Sequence, residues 1–68
     1  MDEEALNTSV RKFLKKVGVT AQREIEKAVR DAAAAGKLKP GAALPATATF
    51  RIGGLDLSFE IDGEVETG

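Results

Sequence analysis

The chain has no cysteine, no histidine, no tryptophan and no tyrosine, and only two prolines in 68 residues. Each absence closes a class of function. Without Cys there is no disulfide staple and no thiolate zinc site. Without His the usual acid–base group near neutral pH is missing, and Ser9 and Ser58 have nothing to activate them as nucleophiles. No apolar run approaches the roughly 20 residues a membrane span requires. The first residues, MDEEALNTS, are acidic and polar, unlike a secretory leader. Cytoplasmic residence without membrane association is the expectation, and so are a non-catalytic role and no cofactor or bound metal.

Charge is present in quantity but segregated. The formal net charge is only −1. Asp2, Glu3 and Glu4 give residues 1–7 a charge of −3. In residues 8–39 nine Lys and Arg outweigh Glu24, Glu26 and Asp31, giving +6. In residues 40–68 Arg51 stands against Asp56, Glu60, Asp62, Glu64 and Glu66, giving −4. One small domain with a basic and an acidic region follows.

Periodicity supplies the elements. Leu6, Val10, Phe13, Leu14 and Val17 recur at the spacing of one helix face. Asp2 is placed to cap that helix, with Glu3 and Glu4 suiting its positive end. Gly18 falls where a left-handed terminating residue belongs, after Lys15 and Lys16, and Val19 can make the apolar contact that accompanies such an end. Thr20 then reads as the cap of a second helix, whose stripe is Ala21, Ile25, Ala28, Val29 and Ala32 and which stops at Gly36. Two helices, near 3–17 and 20–35, form a helical hairpin on this reading. KPGAALP is a loop. Beyond it the period drops to two. Ala46, Ala48, Phe50 and Ile52 alternate with polar residues, Gly53-Gly54 reads as a two-residue turn, and Leu55, Leu57, Phe59 and Ile61 alternate again. That turn pairs Ile52 with Leu55, Phe50 with Leu57, Ala48 with Phe59 and Arg51 with Asp56. Leu44 and Val65 share the inward parity and extend the ladder past Pro45 and Gly63.

The expected fold is therefore α+β, order ααββ: a helical hairpin over about 3–36, a loop over 37–45, and an antiparallel β-hairpin over about 46–66, packed together as a single domain. The expected core is Leu6, Val10, Phe13, Leu14, Val17, Ile25, Val29, Leu38, Phe50, Ile52, Leu55, Leu57, Phe59 and Ile61.

The run at residues 9–29, SVRKFLKKVGVTAQREIEKAV, resembles the core of a family of short bacterial proteins described only as a domain of unknown function. The likeness extends over most of the chain, continuing less specifically through AAGKL and the alternating strands. It implies a complete small protein, and it carries no assigned activity, ligand or catalytic residue to transfer.

KKVGVTAQREIEKAV also invites comparison with a DNA-reading helix-turn-helix. Gly18 suits the turn. The residue six positions later, Glu24, is not apolar, and Leu14, four before the glycine, is not small. A hairpin serving as a wing over phosphates would be basic, and this one is acidic. The candidate binding residues are Arg11, Lys12, Lys15 and Lys16 on the first helix and Arg23, Lys27 and Arg30 on the second. Pairs Glu26–Arg30, Lys27–Asp31 and Glu24–Lys27 would make part of this a solvated, ion-paired face. The RKFLKK cluster has no local acid. No aromatic on that face offers a base-stacking platform. An interaction module that holds an acidic protein partner is the reading adopted. A nucleic-acid binder, winged-helix-like or non-specific, using the same residues is the alternative. Free edges of the β-hairpin could also pair across a two-fold axis into a four-stranded homodimer.

Overall fold

A computed structural model describes residues 1–68. Its element order is one helix, α1 (Glu3–Ala34), and two strands, β1 (Ala43–Ile52) and β2 (Leu57–Glu66). The chain divides into two compact units, Met1–Leu38 and Lys39–Gly68. The class is α+β as expected, but the helical hairpin is not formed. A single helix of 32 residues runs through Gly18 and Thr20 without interruption.

The ends of α1 are built as the sequence dictates. The Asp2 carboxylate accepts a hydrogen bond from the Ala5 N–H at 3.1 Å, satisfying a donor that the first turn would leave unpaired. Glu3 and Glu4 follow in the first turn. At the other end Gly36 takes φ +70°. There the Gly36 N–H donates to the Ala33 carbonyl at 3.1 Å, and the Lys37 N–H to the Ala32 carbonyl at 2.9 Å. This pair of bonds is the Schellman motif, and its left-handed residue is suited to glycine. Leu38, just beyond, is half-buried.

Continuity through Gly18 has a physical reason. Leu6, Val10, Leu14, Val17, Ala21, Ile25, Ala28 and Ala32 are spaced 4-4-3-4-4-3-4. The stripe keeps its phase across Gly18, repeating every eleven residues or three helical turns. A chain reversal at Gly18 would interrupt that register. An interior glycine costs about 1 kcal/mol, which is small beside the hydrogen bonds of the turns on either side.

The second unit opens with Lys39-Pro40-Gly41-Ala42, where the Ala42 N–H donates to the Lys39 carbonyl at 3.1 Å. Pro40 presets the first central φ and Gly41, at φ +70°, supplies the positive one a type II turn needs. β1 and β2 then pair antiparallel, from Ala43 opposite Glu66 to Ile52 opposite Leu57. This corrects the expected register. The connection is four residues, Gly53 to Asp56, and every pair is displaced by two from a Gly-Gly turn. Phe50 faces Phe59, Ala48 faces Ile61, Thr49 faces Glu60 and Arg51 faces Ser58. A slip of two leaves each side chain on its original face, so alternation alone could not choose. The observed register gains a stacked Phe50–Phe59 pair, centroids 5.3 Å apart at 23°, worth about 0.5–1.5 kcal/mol beyond burial. It also sets Leu44 opposite Val65, and the ladder does extend past Pro45 and Gly63.

One face of the hairpin is apolar, from Leu44 and Val65 to Ile52 and Leu57. The other carries Thr47, Thr49 and Arg51 against Ser58, Glu60, Asp62, Glu64 and Glu66. Thr47 Oγ1 donates to Asp62 across that face at 3.1 Å.

No side chain is buried. Within each unit taken by itself the expected core residues form half-exposed faces: Phe13, Leu14 and Phe59 stand 48%, 47% and 43% exposed. A helix and a two-stranded sheet each have one apolar face, and neither can enclose a residue by itself.

Candidate functional site

The joining of two expected helices into one changes the geometry of the basic residues. Successive residues turn by about 100° along a helix. Lys12, Lys16, Arg23, Lys27 and Arg30 then fall in a single row on the side of α1 opposite the apolar stripe. The row follows the same eleven-residue repeat, Lys12 to Arg23 and Lys16 to Lys27, and it is about 27 Å long at 1.5 Å per residue. Lys15 lies beside it. Arg11 lies apart, at the border of the apolar stripe. Of the seven residues singled out from the sequence, five share one face, one adjoins it, and one does not belong.

Sequence patterning misses one member of this row. Val19 sits between Lys16 and Arg23, at the position the repeat assigns to Arg30 one period later, and it is 56% exposed. A terminator at Gly18 would give Val19 a contact with the helix end. The eleven-residue repeat is the signal that places it among the cations instead.

Two members carry ion pairs. Lys27 Nζ lies 2.9 Å from Asp31 Oδ2, and Arg30 Nη2 lies 3.5 Å from Glu26 Oε1. Glu24 does not pair with Lys27. Gln22 donates instead to Glu26 at 3.1 Å. The lysine and arginine of these pairs are 71% and 74% exposed. Exposed i, i+4 pairs are worth about 0.3–0.5 kcal/mol, so a stronger anion can take over these cations. Lys12, Lys16 and Arg23 make no ion pair within the chain.

The same continuity removes the helix-turn-helix. That motif needs two helices set at an angle around a turn, and residues 15–29 are an uninterrupted part of one helix. The helix is not a membrane span either, since none in the molecule is long and apolar enough to cross a bilayer.

A family model matches residues 1–68. The chain belongs to DUF6494, a family of unknown function. No curated protein and no solved structure matches it. The DUF6494 fold, as this member shows it, offers a basic row on a helix and an acidic face on a hairpin as its charged surfaces.

Proposed function

We propose that this DUF6494 chain is a non-catalytic interaction module that holds an acidic protein segment along the basic row of α1. The observation that carries the reading is the alignment of Lys12, Lys16, Arg23, Lys27 and Arg30 on one continuous helix. A row of cations with an exposed Val19 at its centre suits a partner with carboxylates at similar intervals and one apolar side chain between them. A polar, charged rim around a less charged centre is the general anatomy of an interface. The acidic face of β1 and β2 favours a compact acidic partner over a long polyanion, which it would repel. The lack of histidine and cysteine accords with binding in place of catalysis.

The test is an NMR titration at low salt with an oligoglutamate peptide, with duplex DNA and with single-stranded RNA. The expected result is shifts with the peptide at Lys12, Lys16, Val19 and Arg23. In Lys16→Glu and Arg23→Glu the affinity should drop at least tenfold while helix content is unchanged. Tighter binding of either nucleic acid, with log affinity falling steeply with log salt, would replace the protein-partner reading.

A further inference from the structure

We propose that the free edge of β1 pairs with the β1 edge of a second copy, in antiparallel register about a two-fold axis at Ala48, to make a four-stranded sheet. The inference is independent of the basic row.

Hydrogen-bond alternation identifies what each edge offers. Thr67 N–H donates to the Ala42 carbonyl at 3.1 Å. These two continue the ladder register one step beyond Ala43 and Glu66. Hydrogen-bonded and non-bonded pairs alternate along an antiparallel ladder. Ala42, Leu44, Ala46, Ala48, Phe50 and Ile52 therefore turn their N–H and C=O groups toward β2. Ala43, Pro45, Thr47, Thr49 and Arg51 turn theirs outward. Pro45, which has no N–H, stands in the outward set, where the β1–β2 ladder asks no donor of it. By the same alternation the outward groups of β2 belong to Ser58, Glu60, Asp62, Glu64 and Glu66.

The two edges are thus unequal. Joining β2 to a second β2 around Asp62 would set Asp62 against Asp62 and Glu60 against Glu64, and like charges directly opposite destabilise a sheet. The β1 edge has no acid. A two-fold axis at Ala48 makes Thr47 and Thr49 of one copy exchange backbone hydrogen bonds with Thr49 and Thr47 of the other. It places Ala46 opposite Phe50 and Leu44 opposite Ile52 on the apolar face, small against large. Ala48 meets its own copy at the close, non-bonded spacing, which its methyl group permits. The sole bonds lost are those Pro45 would have donated. An isolated two-stranded hairpin is marginal in water, and independent stability takes three or more strands with an apolar face or packing on a helix, so the pairing supplies strands that each hairpin lacks.

Sedimentation velocity over a hundredfold range of concentration, together with amide hydrogen exchange on the unaltered protein, decides the matter. A monomer–dimer equilibrium is expected. At the dimer end the Thr47, Thr49 and Arg51 amides should be protected and should lose protection on dilution, while those of Ser58, Glu60 and Asp62 exchange fast throughout. Thr49→Pro, which removes an outward donor and none of the β1–β2 bonds, should raise the dimer dissociation constant at least tenfold. Asp62→Pro should leave it unchanged. A monomer at every concentration, protection of the β2 set instead, or a Thr49→Pro protein that dimerises normally would overturn the proposal. A series of species growing without limit would also overturn it, since it would show β1 pairing with β2 in an open chain. Should Thr49→Pro fail to fold, the exchange pattern of the unaltered protein decides between the two edges by itself.

Discussion

A glycine inside an exposed helix weakens it by about 0.8–1 kcal/mol relative to alanine. Gly18 occupies such a position, and a Cβ built on it meets nothing within 4 Å. Gly18→Ala should therefore stabilise the protein, by up to about 1 kcal/mol, raising the midpoint of thermal unfolding followed by helical circular dichroism. A lowered midpoint would mean that the backbone at Gly18 needs glycine after all. Asp2 and Gly36 are instructive beside it. Both can be read from the sequence as helix ends, and both are, because a cap is decided by three or four neighbouring residues. Gly18 has the same local signature: lysines before it, Val19 and a capping threonine after it. What overrides that signature is the phase of apolar residues several turns away on either side, which a reading turn by turn does not weigh. Val19 escapes such a reading for the same reason.

Within the hairpin, strand identity and the inward and outward faces are legible in the sequence, because a period of two is a local property. Register is not. A shift of two residues conserves the pattern, and the choice falls to the Phe50–Phe59 stack and to the pairing of Leu44 with Val65. Leu55 separates the two possibilities experimentally. In the observed register it lies in the connection, 65% exposed, and Leu55→Asn should change stability by less than about 0.5 kcal/mol, as exposed substitutions usually do. With a two-residue turn the same change would remove an apolar partner of Ile52 and lower the unfolding midpoint by several degrees. Phe59→Leu should by contrast be destabilising, by the roughly 0.5–1.5 kcal/mol of the lost ring pair, read from denaturant unfolding.

For the molecule as a whole, charge segregation and fold class are available from composition and periodicity. The location of a core is not, since an apolar pattern marks a face that wants covering without naming what covers it. Neither unit buries a side chain within itself, so each apolar face needs a cover, and where a second copy supplies it the thermal midpoint should rise with protein concentration. Calorimetry over the concentration range used for sedimentation checks this, and a midpoint independent of concentration would show that the isolated chain is sufficient. The eleven-residue repeat of α1 adds a geometric condition on any helical companion. Eleven residues in three turns is about 3.67 per turn, a little more than the α-helix itself, and rows of that pitch lean into a shallow right-handed supercoil. A heptad partner winds the opposite way and slides off the row within a few turns. Leucine-zipper helices are thereby poor matches for this surface, and a companion of the same hand and pitch is the one that can follow it from Leu6 to Ala32.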